Sequence, residues 1–395
     1  MKKILLYSLL ILSAGILLNA CKDVYKPQAI STPNRYLVVE GFINGTDSTF
    51  FRLSRSRNIG DTGAVKYETA AQVSIEGSNG GSFSMTNKGS GLYALGVSPF
   101  DFSSKYRLRI KTGGKEYLSE YVVLKKSPPI DSVSYSANSD GVRIYVTSHD
   151  PAGATRYYKW DYVETWEYTS LASSSFMYTT AVVPRPDPNE FYRCWRTDRS
   201  STINLATSNG LATDIAYKAP LQYIDGTSFK VSIRYSILVN QTVLTEDAFN
   251  YWSTLKKTSE SLGSIFDPQP SQLKSNIACI TTPNEPVIGY VSGSTNVQKR
   301  IFINKADLPN YRPIEYALCI IDSFFFTIPG TPPIPPGRDN DTAARMKSYF
   351  QGNSNIILSD FYFGSNPKPA GYLYSSKDCM DCREKGGVTQ KPAFW

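Results

Sequence analysis

Arg156-Tyr-Tyr-Lys-Trp-Asp-Tyr-Val-Glu-Thr-Trp-Glu-Tyr168 is the stretch that decides the fold. Tyr158, Trp160, Tyr162 and Glu164 fall on one parity, and Tyr157, Lys159, Asp161 and Val163 on the other. A period of two sustained through aromatic and β-branched residues describes a strand whose side chains leave alternately from two faces. A strand this long and this aromatic belongs in a β-sandwich.

The flanking sequence repeats the pattern. Tyr36 to Ile43, Thr49 to Ser54 and the alternating Ala71, Val73 and Ile75 read as strands. Ser82 to Met85, Gly91 to Tyr93, Tyr106 to Lys111 and Glu116 to Leu124 follow, with Gly113-Gly114 supplying the positive φ of a hairpin turn. About seven strands in such a length predict a small sandwich over 36–127. Lys125-Lys-Ser-Pro-Pro-Ile130 marks the boundary, because two prolines end a strand and stiffen a link. The remainder, 128–395, is expected to form a larger β-rich domain. It begins with strands at Asp131 to Tyr135 and Gly141 to Thr147, joined by the turn at Ser139-Asp140.

Further on, Thr227 to Val243 reads as a strand or hairpin, with Phe229, Val231, Ile233 and Tyr235 on one face. One amphipathic helix is inserted after it. Thr245 suits the N-cap, Glu246 and Asp247 suit the positive end of the dipole, and Gly263 can end it. Ala248, Trp252, Leu255 and Leu262 form its core stripe. Val287 to Val291, Lys299 to Ile303 and Ile314 to Thr327 are the later strands. Thr331-Pro-Pro-Ile-Pro-Pro-Gly337 reads as an extended loop, and Asp339-Asn340-Asp341 as an exposed turn, since no twelve-residue calcium loop follows.

Composition narrows the chemistry. The 395 residues include 27 Tyr, 27 Gly and 24 Pro, with only 19% charged residues, which favours strands and ordered turns over disorder. The net charge of +8 is scattered, without a run of five Lys or Arg, so nucleic acid is not an expected partner. The single histidine, His149, excludes a multi-histidine zinc site, and its setting before Asp150-Pro151 reads as a loop. There is no Gly-rich phosphate loop, no His-Glu-x-x-His and no Gly-x-Ser-x-Gly, so no cofactor and no catalytic residue is predicted. A glycosidase needs only two carboxylates, but Asp161 and Glu164 leave opposite faces of their strand.

The N-terminus gives an address. Lys2 and Lys3 precede an apolar run from Ile4 to Leu18, too short for an ordinary membrane span, so 1–20 reads as a signal peptide. Leu18-Asn19-Ala20-Cys21 resembles a bacterial lipobox, which makes Cys21 the expected lipidation site. Residues 21–35 are then a polar tether carrying Pro27 and Pro33. Lys22 and Asp23 resemble the surface-export signal of Bacteroidota lipoproteins, which places the protein on the outer face of the outer membrane.

Such a setting permits disulfides. Beyond Cys21 there are five cysteines, Cys194, Cys279, Cys319, Cys379 and Cys382, so at most two bridges form and one thiol is left. Cys379-Met-Asp-Cys382 also has the spacing of half a zinc site or a redox pair. Structural disulfides are preferred, since no βαβ setting surrounds the motif, and their connectivity is open.

Several segments together resemble the Bacteroidota outer-membrane lipoproteins called domain of unknown function 4249. They are Tyr36-Leu-Val-Val-Glu-Gly41, Pro128-Pro-Ile-Asp-Ser132, Asn250-Tyr-Trp-Ser-Thr-Leu-Lys-Lys257 with Gly263 to Ser271, Ser275-Asn-Ile277, Ile288-Gly-Tyr-Val291, Lys299-Arg-Ile-Phe-Ile303, and Cys379 to Arg383 with Gly386-Gly387 and Lys391-Pro-Ala-Phe-Trp395. The resemblance implies an immunoglobulin-like or carboxypeptidase-regulatory-like sandwich followed by a larger β domain. It also implies genes beside TonB-dependent receptors. The expected function is therefore a non-catalytic surface lipoprotein that captures a nutrient for such a barrel or covers its mouth. The alternative is a structural, adhesin-like or envelope-assembly scaffold. Trp166, Tyr168 and Tyr178 are the candidate ligand contacts, being least explained by core periodicity.

Overall fold

The computed structural model describes residues 35–57, 61–260, 273–311, 318–326, 340–352 and 354–395. Cys21, Lys22, Asp23, Leu262, Gly263 and the proline-rich loop lie outside the described residues.

The chain is mainly β. Its first part is a sandwich. Leu37–Asn44, Thr49–Arg55 and Leu92–Leu95 pair antiparallel in one layer. Gln72–Gly77, Lys105–Thr112, Lys115–Ser119 and Val122–Lys125 pair in the other. Alternation buries one side of each: Leu37, Val39, Phe51, Leu53 and Tyr93 share a core with Val73, Ile75, Tyr106, Leu108, Ile110 and Tyr117. The predicted strand Glu116 to Leu124 is in fact two, interrupted at Glu120-Tyr121.

The boundary expected at 128 does not separate two continuous pieces. Ile277–Cys279 adds to the free edge of Lys115–Ser119. Val287–Gly289 pairs parallel to Leu37–Asn44. Gly293–Ser294 pairs parallel to both Ile43-Asn44 and Leu124-Lys125, joining the two layers. Glycine is required at 293, where a Cβ would stand 2.6 Å from the Val123 carbonyl oxygen. Thus 128–395 is interrupted, and 277–294 returns to complete the first sandwich. Parallel pairing needs a long crossover, and local periodicity carries no signal for one.

The second part is built on the quoted strand, which runs Tyr157–Thr169. Arg193–Arg199 pairs on one side, with Asn204–Thr207 continuing that edge, and Arg234–Val243 on the other, followed by Val297–Asn304. A facing sheet has the order Ile130–Ala137, Gly141–His149, Ile215–Asp225. Tyr158, Trp160, Tyr162, Ile237 and Val239 pack against Val142, Ile144, Val146, Leu221 and Ile224. Full burial stabilises by about 1.5–3 kcal/mol per large apolar side chain, so this parity of the long strand anchors the sheet. Trp160 Nε1 donates to Gln241 Oε1 at 2.8 Å, and Gln241 Nε2 donates to the Pro128 carbonyl at 2.7 Å, which ties the interdomain link to the core.

The expected strand or hairpin at Thr227 to Val243 is shorter than predicted. Phe229–Val231 is a 3-10 turn, and the strand starts at Arg234. The Ser228 hydroxyl accepts from Lys230 N and so favours the turn.

The inserted helix spans Glu246–Glu260, with Thr245 Oγ1 accepting from Ala248 N as its cap. Ala248 and Tyr251 are its buried residues, while Trp252 and Leu255 are only half-buried. A second helix, Asn340–Phe350, begins where the sequence read a turn. It packs through Phe350 on Phe324 and Ile357 of a third sheet, ordered Asp322–Phe325, Gly371–Ser376, Asn355–Phe361.

Candidate functional site

Five segments meet around an open cleft of about 570 Å³. Trp166 and Tyr168 come from the long strand, and Arg196 and Asp198 from its neighbour. Register explains their meeting: Trp166 lies opposite Arg196, Tyr168 opposite Cys194 and Glu164 opposite Asp198. Residues directly opposed across antiparallel strands share a face. Phe229 and Lys230 come from the 3-10 turn, Lys385 from the turn Cys382–Lys385, and Leu318 from the start of the segment leading into the third sheet.

The polar side of the cleft is cationic. Lys230 Nζ stands 4.9 Å from the Trp166 ring centroid and the Arg196 guanidinium 5.4 Å from it. Lys385 Nζ lies 5.0 Å from the Phe229 ring, which meets Tyr168 edge-on at 5.1 Å. Arg196 also donates to the Lys385 carbonyl at 2.9 Å and to Asp198 at 3.3 Å.

Glu164 lies behind this surface, buried. Lys230 donates to its Oε1 and the Tyr235 hydroxyl to its Oε2 at 2.8 Å. Burial, followed by the Glu164 charge and hydrogen bond, pushes the Tyr235 phenol well up, so it serves as a neutral donor. Glu164 and Asp198 thus form a cross-strand carboxylate pair that differs in access: one is sealed and the other lines the cleft.

Disulfides hold the far wall. Cys194 and Cys382 are bridged with Cα atoms 5.7 Å apart, and Cys319 and Cys379 with 5.8 Å. The Cys-x-x-Cys motif is therefore divided between two bridges, and neither a zinc half-site nor a redox pair is present in it. Asp381 lies between the two cysteines and accepts from Arg383 N at 2.9 Å, starting a new turn there. Among the described residues Cys279 is the cysteine left unbridged, buried beside Thr281. Among the described residues no group of three or more His, Cys, Asp or Glu side chains is placed to hold a metal ion.

Of the predicted contacts, Trp166 and Tyr168 line the cleft, although both are largely buried. Tyr178 is elsewhere, in the hairpin Phe176–Tyr178 with Val182–Pro184, against the cluster of Phe324, Phe350 and Ile357. Phe229, Lys230, Arg196, Asp198, Leu318 and Lys385 carried no signal in the sequence, apart from the parity that Arg196 and Asp198 share with Cys194. His149, expected in a loop, is instead the exposed last residue of the strand Gly141–His149; its Nδ1 lies 2.8 Å from Asp131 Oδ2, while the Ser148 hydroxyl bonds the Pro129 carbonyl. A second cleft, about 350 Å³, lies between the long helix and the first sandwich and includes Glu120, Asp247, Tyr251 and Tyr290. Burial, with Asp247 and Glu120 nearby, pushes the Tyr290 phenol up.

These features define a multi-sheet, mainly β protein with an aromatic and cationic cleft under a disulfide-tied wall. The chain belongs to the family described as "Domain of unknown function (DUF4249)", which matches residues 22–300. No curated protein matches the chain. Among solved structures it is similar to a two-domain fibronectin type-III segment of chicken tenascin, at 11% identity and a TM-score of 0.15, over 52% of this chain and 89% of that one. It is also similar to a structure titled manganese lipoxygenase of Gaeumannomyces graminis with partial zonadhesin of Komagataella pastoris. That likeness has 14% identity and a TM-score of 0.17, over 55% and 91% of the two chains.

Proposed function

We propose that this protein is a surface-exposed, lipid-anchored outer-membrane protein. It captures a ligand, without catalysis, for a TonB-dependent receptor. The observation that carries the reading is the open cleft, whose volume suits a small ligand and whose walls are aromatic and cationic. Both oxygens of Glu164 are engaged and covered, which favours binding over hydrolysis by the Glu164–Asp198 pair. Cys21 supplies the lipid, and Lys22 and Asp23 the export signal. The gene neighbourhood implied by the family resemblance supports a barrel as partner.

A scaffold role without a small ligand is the second reading. The exposed Leu318 and Ile320 beside the Cys319–Cys379 bridge favour it, because a pinned apolar segment suits a protein contact.

A mild-detergent pull-down of the tagged protein from native outer membranes separates the two. Capture predicts a stoichiometric TonB-dependent barrel, and deletion of the gene then impairs uptake of one nutrient class. Recovery of no barrel, under conditions that preserve a known barrel–lipoprotein complex, sinks the capture reading. Cys21→Ser is expected to move the protein from the membrane to the soluble fraction, and unchanged membrane retention would remove the lipid anchor from the account.

A further inference from the structure

The first sandwich ends in a cationic cleft of about 420 Å³. Register builds it. Arg55 lies opposite Leu37 on one side and opposite Lys66 on the other. The Ser56 amide bonds the Tyr36 carbonyl, so the ladder continues outward and brings Arg57 to the cleft beside Arg35. The Arg55 guanidinium is held, since it meets Glu68 at 2.6 Å and donates to the Arg35 carbonyl at 3.2 Å. The other three cations keep their charge. Arg57 donates to the Gly63 carbonyl at 2.6 Å, a neutral partner. Arg35 and Lys66 are exposed and form no ion pair among the described residues. Asp61 is the one carboxylate lining the cleft among the described residues. Four cations against Asp61 and Glu68 leave two positive charges in excess.

The place of the cleft decides what it can meet. Arg35 opens the described chain, and the thirteen residues 22–34 separate it from Cys21. That length reaches at most about 45 Å. The strand Leu37–Asn44 runs away from the cleft. Its far end pairs with Gly293–Ser294, as does Leu124-Lys125, where the chain leaves for the second sandwich. The cations thus stand at the end of the first sandwich that receives the tether, opposite the link to the second. Near an anionic headgroup surface each Lys or Arg raises the bound fraction about fivefold.

We propose that this end of the first sandwich docks, through Arg35, Arg57 and Lys66, on the phosphate-bearing headgroups of the leaflet that holds the Cys21 lipid. The lipid then sets the distance and the basic end sets the orientation, with the second sandwich held away from the membrane. The proposal rests on the lipid-anchor reading given above.

The test uses the whole mature chain without its lipid, residues 22–395. It is sedimented with vesicles of phosphatidylcholine alone or of equimolar phosphatidylcholine and phosphatidylglycerol. The anionic vesicles are expected to bind it at least about tenfold more tightly at low salt, and added salt should screen the preference away. Arg35→Gln with Lys66→Gln, both at exposed positions, should remove most of that preference. Lys347→Gln with Lys368→Gln removes the same charge from exposed positions far along the chain and should leave it unchanged. Equal binding to both vesicles, or equal loss in the two double variants, overturns the docking assignment. Displacement by inorganic phosphate beyond that by chloride at the same ionic strength also overturns it, because the cleft would then be a site for a free anion. The chain tested carries no lipid, so these failures leave the Cys21 anchor standing, and the fractionation of Cys21→Ser tests that anchor separately.

Discussion

Tyr168 donates its phenolic hydrogen to the carbonyl oxygen of Cys382 across 2.6 Å, joining residues 214 apart in the chain. Cys382 is in turn bridged to Cys194, which lies directly opposite Tyr168 in the sheet. The wall of the cleft is thus fixed to its floor twice at one point, by a covalent bond and by a hydrogen bond.

Removing the covalent link should cost stability that grows with the logarithm of the length of chain it closes. The Cys194–Cys382 bridge spans 188 residues and Cys319–Cys379 spans 60. Cys194→Ser with Cys382→Ser is expected to destabilise by about 2–4 kcal/mol, and the other pair by about 1 kcal/mol less. Denaturant unfolding of the two double variants, without reductant, measures both. The reverse order would show that chain entropy does not govern these bridges.

Gly387 should tolerate no side chain. A Cβ there would stand 2.3 Å from the Tyr168 hydroxyl and 2.9 Å from Cys194 Cβ. Gly387→Ala is expected to cost about 1–3 kcal/mol by overpacking. Gly386 has a φ of +77°, and a Cβ there would meet only the Arg196 guanidinium, at an ordinary contact distance of 3.7 Å. Gly386→Ala should therefore cost only the backbone strain, about 1 kcal/mol. Thermal melts of the two variants compare them directly.

Gln241 should matter more than a typical core polar group. It accepts from Trp160 and donates to Pro128, so Gln241→Leu leaves a buried indole N–H and a carbonyl without partners. The expected loss is about 2–5 kcal/mol, from about 1–3 kcal/mol for each orphaned group discounted for overlap. Trp160→Phe in the Gln241→Leu background should recover part of it, and no recovery would refute the coupling.

Stability should fall in acid through Glu285. Burial pushes its carboxyl up. Hydrogen bonds from Lys115 and Tyr117 outweigh burial, with Arg55 3.9 Å away, so it titrates below its ordinary value of 4.5. A depressed folded value contributes stability above the unfolded value, and that stability is lost as pH falls through the folded one. Glu285→Gln should flatten the dependence of unfolding free energy on pH in this range. Burial and the hydrogen bond to Glu285 push Tyr117 up to about 12. Its contribution is complete below the ordinary value of 10 and is lost as pH rises through about 12. Spectrophotometric titration of the phenol should show this shift, and a smaller one in Glu285→Gln.

Much of the β architecture was legible because a strand's face is a local property. The parity of Tyr158, Trp160 and Tyr162 predicted a buried face, and that face is the core of the second sandwich. Thr245 announced its helix because capping involves only the next three residues. The same logic failed at Phe229. Its parity with Tyr235 suggested a strand or hairpin from Thr227, whereas a side-chain hydrogen bond at Ser228 accompanies a 3-10 turn there. At the other face of the long strand, Glu167 is a carboxylate that the sequence reading left unassigned. It is buried because Arg193 pairs with it and the Trp395 indole donates to it at 3.0 Å.

The sequence by itself determined the class of the protein: mainly β, with a long aromatic strand and cysteines enough for two bridges. Periodicity, turn chemistry and cysteine number are written into neighbouring residues, and the family match rests on the same string. Only the tertiary structure decided which cysteines pair, that 277–294 returns to the first sandwich, and that Arg196, Lys230 and Lys385 face one cleft. Those outcomes depend on register and on contacts between residues tens to hundreds of positions apart. Such contacts form by mutual burial of surfaces that no local pattern encodes.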